Sequence, residues 1–365
     1  MNNLQEQKEA ARAAWMQARA GNRPLVKLGI DAHLSGLVVV VQHEESSAKA
    51  GVKMSPDRLV GMVRGWCREG GAVFACYEAG PLGFGLQRRL AGAGASCMVV
   101  RPRSLNAYGL KVKTDRRDAA ELCGNLDRYL CGNDEAMAPV AIPSEQEEQR
   151  RSLARERDHL ARQRRRELQR FRGTCLFHGL ALRGEWWRPK RWAEWKEQLV
   201  ADLAEQGERM LQRIAQLDQD LRVVEGQLSA GLPAERPRGL GELSLALLDR
   251  EIVQWSRFRR RQEVAAYTGM VPSEHTSGPH VLRGAITKHG HRRVRHLLIE
   301  AAWRLVLFQP HYCRVKKWNV VLANPRAGPA RRKKAIVALA RQLAIDLWRW
   351  RTGRVTLEQL GLKAA

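Results

Sequence analysis

Between Leu25 and about Leu130 short apolar runs alternate with amphipathic stretches, and this rhythm predicts an α/β domain. Leu25 to Ile30 reads as a strand ending on Asp31, and Gly36 to Gln42 as a second strand joined to it by a tight turn. A third strand, weakly marked, covers Ala48 to Met54. Ser55-Pro56-Asp57 opens a helix through about Arg68, with Ser55 as N-cap and Pro56 at the first helical position. Ala72 to Tyr77 is a buried-type strand ending on Glu78, Leu82 to Leu90 a helix, and Ser96 to Val100 another strand. After a basic loop, Lys111 to Thr114, a helix starts near Asp115 and runs to about Leu130.

The order βββαβαβα is that of a ribonuclease-H or RuvC-like fold. Further on the pattern changes to Arg, Glu, Gln, Leu and Ala, predicting two long helices, Ser144 to His178 and Trp192 to Leu228, around a break at Arg183 to Pro189. Met210, Ile214, Leu217, Leu221, Val224 and Leu228 alternate steps of four and three, the spacing of a coiled-coil seam. That seam serves either dimerisation or packing of the helix on its own neighbour. Glycines and prolines then mark a loop, and Arg238-Gly239-Leu240-Gly241 before Leu243 to Leu248 looks like a weakened helix-hairpin-helix turn or an ordinary helix-opening turn. The tail from Arg331 through Arg351 reads as a basic helix. The expected organisation is an extension at 1–24, an α/β domain at 25–143, a helical coiled-coil arm at 144–232 and a mainly α domain at 233–365.

Composition narrows the partners. Sixty-three Lys and Arg against 38 Asp and Glu give a formal charge of +25, which calls for a polyanion, with nucleic acid ahead of an anionic membrane surface. No run approaches the roughly eighteen apolar residues of a spanning helix, and the first 23 residues lack a signal-peptide core, so a cytoplasmic protein is expected. Seven scattered cysteines without a C-x-x-C pair indicate reduced thiols rather than a disulfide frame or a zinc ribbon.

Four acids stand out against this basic background. Asp31 and Glu78 close apolar strands, so adjacent parallel strands would bring both to one sheet edge. Asp115 and Asp118, three apart at a helix start, share a face with Cβ atoms roughly 5 to 6 Å apart. Together they could hold two Mg2+ roughly 3.5 to 4 Å apart, the spacing used for in-line phosphoryl displacement. Taken singly, Asp115 and Asp118 also suit a cap and its first-turn partner, Asp31 a turn and Glu78 the surface. Their joint order across the strand pattern favours the metal site.

Leu28-Gly29-Ile30-Asp31, Tyr77-Glu78-Ala79-Gly80 and Lys113-Thr114-Asp115-Arg116-Arg117-Asp118-Ala119 together resemble transposases of the insertion-sequence 110/1111 family. The likeness continues at Ala266 to Pro272, His275-Thr276-Ser277-Gly278 and Thr287-Lys288-His289-Gly290. The resemblance implies a prokaryotic recombinase acting at the nucleoid, guided by a structured bridge RNA that pairs with donor and target DNA. It implies that Asp31, Glu78, Asp115 and Asp118 bind magnesium, and that Ser277 attacks the phosphodiester to give a covalent phosphoserine link. A homo-oligomer, dimeric and tetrameric in the synaptic complex, goes with it. The Arg238 to Gly241 turn, where a Pro-Gly pair is usual, and the segment before Leu25 depart from the family pattern.

Chemistry alone is less specific about the serine. A hydroxyl needs a base or metal to act as a nucleophile at neutral pH, and Thr276-Ser277-Gly278 offers one in a flexible loop near Arg283, Lys288, Arg292 and Arg293. Ser273 and Thr276 are competing hydroxyls. Lys111, Lys113, Arg116, Arg117 and the run Arg331-Arg332-Lys333-Lys334 are further candidate phosphate contacts. Arg162 to Arg172, followed by Trp186, Trp187, Trp192 and Trp195, suit RNA recognition or a charged helix over a small tryptophan core. His275, His280, His289, His291 and His296 have zinc-like spacings but no cysteine pair. The alternatives to a recombinase are a metal-dependent nuclease or junction resolvase needing only the quartet, and a non-catalytic nucleic-acid scaffold.

Overall fold

A computed structural model describes residues 3–44, 46–80, 82–102, 114–230, 235–277 and 280–365, except for the side chains at 275–277, 280–281 and 283. The chain divides into two units, Met1–Ile142 and Pro143–Ala365.

In the first unit, β1 (Leu25–His33), β2 (Gly36–His43), β3 (Val52–Met54), β4 (Ala72–Glu78) and β5 (Ser96–Val100) form a mixed sheet in the order β3-β2-β1-β4-β5. β1 runs antiparallel to β2 and parallel to β4, which is parallel to β5. Because side chains alternate along a strand, Val26, Leu28 and Ile30 join Val73, Ala75 and Tyr77 on one face. There they bury Leu59 and Val63 of α2 (Pro56–Arg68) and Leu86 and Leu90 of α3 (Gly85–Gly92). α2 starts on Ser55, whose side chain accepts from the Arg58 amide, with Pro56 at its first position. On the other face Phe74 and Cys76 meet Leu122, Leu126 and Tyr129 of α4 (Asp115–Leu130).

Several expected bounds shift. β1 runs two residues past Asp31, because pairing with β2 continues to His33 opposite Gly36. β3 begins at Val52 rather than Ala48, and α3 at Gly85 rather than Leu82. The segment 1–24, expected as an extension, carries α1 (Asn3–Ala20), which lays Ala11, Trp15 and Ala18 on the α4 side of the sheet. Their steps of four and three make a narrow apolar stripe on an otherwise polar helix.

The second unit opens with α5 (Glu145–Phe177), started by a reciprocal capping box between Ser144 and Glu147. After the break come α6 (Pro189–Lys196) and α7 (Ala201–Ser229), so the second long helix starts nine residues later than its expected start at Trp192. The heptad seam of α7 closes within the chain. Met210 and Ile214 pack with Leu168, Phe171 and Cys175 of α5, and Val224 and Leu228 with Ala154. Trp186 and Trp192 are buried in the first of these clusters, which removes them as stacking platforms for RNA bases. Gly207 is part of that core: a Cβ there would lie 2.1 Å from the Trp192 ring.

The remainder is α8 (Glu242–Ile252), a short 3-10 turn, α9 (Arg261–Thr268), β6 (Pro272–Ser277), β7 (His280–Ile286), α10 (Arg292–Phe308), α11 (Cys313–Leu322) and α12 (Pro329–Arg351). Leu245, Leu248, Leu298, Leu305, Leu339 and Leu343 centre its core. The β6-β7 hairpin is unforeseen in a segment expected to be helical and loop. The Arg238 to Gly241 turn opens α8 with Gly239 at φ +92° against Phe308, and the Arg238 amide donates to the Lys363 carbonyl. Among the described residues no helix is long and apolar enough to cross a membrane.

Candidate functional site

The position of α4 decides where two of the four acids stand. α4 crosses β1 at Gly29, where a Cβ would lie 2.1 Å from the Ala119 carbonyl oxygen and 2.4 Å from the Cys123 amide nitrogen. Only glycine permits that approach. Two residues earlier on the same strand face, buried Lys27 donates from Nζ to Asp127 Oδ1 at 2.5 Å, fixing the far half of the helix. At the near end Thr114 caps the Arg117 amide, so Asp115 and Asp118 occupy the first turn over the sheet.

On the strand side, β1 and β4 are parallel with Ile30 beside Tyr77, which sets Asp31 next to Glu78 in sequence register near the ends of both strands. Gly29, Asp31, Cys76 and Glu78 share the α4 side of the sheet by alternation. Asp31, His33 and Asp115 offer ligand atoms that all lie within 4.8 Å of one another. His33 Nε2 donates to Asp31 Oδ2 at 2.9 Å and stands 3.7 Å from Asp115 Oδ1. Glu78 and Asp118 line an adjoining cleft with Arg101, Glu121 and Asn125. Thus the carboxylates of Asp31 and Asp115 come within 4.8 Å of each other, and Glu78 shares a wall with Asp118. His33 escaped the sequence reading although Asp31-Ala32-His33 carries its signal, since residues two apart on a strand point the same way. Carboxylate oxygens form the hard donor set that magnesium prefers, and an imidazole beside them also admits softer divalent ions.

Ser277 is the last residue of β6, opposite His280 of β7, in a hairpin strand rather than the flexible loop expected. Its side chain, like those of His275, Thr276 and Arg283, and the next residues Gly278 and Pro279 lie outside the described set. The hairpin's root is well defined. Gly269 adopts φ +66° as the C-cap of α9, and a Cβ on Gly290 would lie 2.4 Å from the Gly269 amide nitrogen. Thr287 donates to the Val271 carbonyl at 2.8 Å, Lys288 to Gly269 at 3.1 Å, and His291 to Tyr267 at 2.6 Å. The two glycine-bearing motifs therefore stitch the base of the strand that carries the serine. Beneath them Glu251, 3% exposed in its side chain, pairs with Arg293 at 2.9 Å and His291 at 3.2 Å. Burial pushes the Glu251 carboxyl up, but the contacts and charges of His291 and Arg293 outweigh it, and the net shift is downward.

The candidate phosphate contacts sort by what they already hold. Arg116, Arg117, Lys288, Arg292, Arg331, Lys333 and Lys334 are exposed. Arg293 is engaged with Glu251 and Asp158, and Arg332 donates to the Asn324 carbonyl. Lys111 and Lys113 lie outside the described residues. Among the described residues the only metal-capable group is Asp31, His33 and Asp115, so none of His289, His291 and His296 belongs to one.

Residues 235–315, which include the serine hairpin, match the family model described as Transposase IS116/IS110/IS902 family. This defines the chain as a transposase, an enzyme of DNA cleavage and strand transfer. Over 314 residues it is 30% identical to "Putative transposase y4rJ" of Sinorhizobium fredii, covering 78% of each chain. It is 24% identical over 278 residues to the transposase of insertion sequence element IS1111A of Coxiella burnetii, covering 72% of each. The chain belongs to the IS110/IS1111 family of insertion-sequence transposases.

Proposed function

We propose that the chain is an RNA-guided recombinase of its insertion sequence, cutting and rejoining DNA through Ser277 with the help of a magnesium-binding quartet. The observation that carries this reading is the gathering of Asp31 and His33 near the end of β1 with Asp115 at the start of α4, and of Glu78 and Asp118 on the adjoining cleft. A β3-β2-β1-β4-β5 sheet with an antiparallel β2 supports a ribonuclease-H or RuvC-like domain over 25–143. The arm at 144–232 and the serine-bearing domain at 233–365 complete the proposed organisation.

Asp31, Glu78, Asp115 and Asp118 would hold two magnesium ions, with His33 orienting Asp31. Bound there, the ions supply charge neutralisation at the attacked phosphate and the departing oxygen. The Ser277 Oγ–P bond forms as the P–O bond to the departing strand breaks. The serine proton goes to a base, and the departing oxygen takes up a proton. The covalent link conserves the phosphodiester's energy for rejoining, which water attack would lose. Exposed Arg116, Arg117, Lys288, Arg292, Arg331, Lys333 and Lys334 suit backbone phosphates of DNA and of a structured guide RNA. A quartet and a serine in separate units suit a homo-oligomeric synaptic complex.

Substitution tests the reading. Ser277→Ala is expected to abolish strand exchange and the protein–DNA adduct while binding survives, and Asp31→Asn to abolish cleavage. Full activity without Ser277 would make the chain a nuclease, and full function without the quartet a scaffold. Sequencing RNA that copurifies with the protein and its flanking element DNA tests the guide.

A further inference from the structure

Away from the acids and the serine hairpin, the second unit contains a cavity of about 630 Å³ walled by guanidinium groups. Arg259, Arg260 and Arg261 stand at the start of α9, Arg314 on α11, Arg341 on α12 and Arg354 just beyond it. Asp346 is the one carboxylate among its described lining residues; its Oδ2 is taken by two donors, and its buried Oδ1 makes no hydrogen bond, with only the Arg349 guanidinium near it. It accepts from the Tyr312 hydroxyl at 2.6 Å and from Arg314 Nε at 3.2 Å, with Arg349 at 3.7 Å. No described carboxylate pairs with the side chains of Arg259, Arg260, Arg261, Arg341 or Arg354.

Three further observations point to an anion. Arginines at a helix start oppose the positive end of the helix dipole, an arrangement relieved by a bound negative group. The Trp348 indole N–H, on the cavity lining in a residue 4% exposed, has no acceptor, and neither does the buried Nε of Arg341. Buried donors are ordinarily satisfied, so these two are donors in reserve. Arg354 lies over the Trp348 ring at 4.1 Å from its centroid, which holds its guanidinium at the mouth.

We propose that this cavity receives the sugar-phosphate backbone of a nucleic-acid strand entering the C-terminal unit. The proposal rests on the reading of the chain as a nucleic-acid recombinase but on none of its chemistry at Ser277 or the quartet. A volume near 630 Å³ falls within the range of ligand clefts, about 300 to 1,000 Å³. Arg259, Arg260 and Arg261 are exposed, so their contacts continue past the mouth, as a polymer requires and a small free polyphosphate does not. Phosphodiester is the chemistry recognised, and it is common to guide RNA and DNA.

The test measures fluorescence anisotropy of full-length protein with labelled hairpin RNA, single-stranded DNA and duplex DNA across a salt series. The double variant Arg260→Gln/Arg261→Gln is expected to flatten log affinity against log salt by roughly 1.4 on a single strand, or roughly 1.8 on duplex, for two lost phosphate contacts. Arg341→Gln is expected to weaken the same polymer, and the polymer that responds identifies the strand. Arg64→Gln/Arg68→Gln, a charge-matched pair on exposed positions of α2, is expected to leave the slope near wild type. Thermal melting checks that each variant is folded. Equal loss in the cavity and α2 variants, or no loss on any polymer, overturns the proposal. So does displacement of wild-type protein's label by inorganic pyrophosphate with polymer binding insensitive to the cavity variants. Ser277→Ala and Asp31→Asn are expected to keep the wild-type slope, so failure of the cutting chemistry and failure of this site read out separately.

Discussion

Glu251 illustrates how a single buried charge under the serine-bearing strand becomes a measurable dependence. Its folded carboxyl is depressed below the ordinary value of 4.5, so its contribution is fully present above that value and is lost as pH falls through the lower folded value. At neutral pH Glu251→Gln leaves Arg293 and His291 facing a neutral amide, and is expected to destabilise by about 3 kcal/mol, the low end for a buried pair because Arg293 is partly exposed. The gap in melting temperature between wild type and variant should close below about pH 4.5. A gap unchanged from pH 7 to pH 3 would show that the pair carries no such linkage. No sequence pattern singles this glutamate out, because its partners His291 and Arg293 follow about forty residues later and meet it only through packing. His33 is different: its two-residue spacing from Asp31 on one strand is a signal present in the sequence itself.

At the scale of elements, α4 and the serine hairpin are held by glycines whose reasons are geometric. Gly29→Ala would drive a methyl into the α4 backbone, so α4 must lift from β1 and carry Asp115 and Asp118 with it. The expected cost is about 1 to 3 kcal/mol or more, together with loss, by calorimetry, of the divalent-ion binding proposed for the site. Unchanged stability and ion binding would contradict this account. The strands and α2, α4 and α5 were legible because apolar runs, the Ser55-Pro56 helix start and a helix-forming composition are local signals, while the caps Thr114 and Ser144 came only with the structure. β6 and β7 were not, since Pro272 to Ile286 is largely polar and forms a two-stranded ribbon whose order comes from the Gly269–Gly290 contact at its root. The α7 seam was legible as a period, while the choice of partner was not. α5 supplies matching residues in the antiparallel direction, which a period alone does not reveal.

For the whole molecule, the charge of +25 predicts strongly salt-sensitive binding to nucleic acid. Affinity for duplex DNA should fall at least about a thousandfold between about 50 and 200 mM salt if six or more phosphates are contacted. A flat titration would mean that most of the arginines serve internal pairs such as Arg157–Glu225 and Arg164–Asp218. Those two pairs lie along the α5–α7 hairpin, between its tryptophan core and its attachment to α8. At 1.5 Å per residue the 33 residues of α5 make a rod on the order of 50 Å long. Such a rod behaves as a lever: with the pivot at Ala154 the arm to Phe177 is roughly 35 Å, and a tilt of about 5° displaces its end by roughly 3 Å, the length of a hydrogen bond. Small repacking around Ala154, Val224 and Leu228 is therefore enough to make or break contacts at the opposite end, where Leu176 and Phe177 stand exposed.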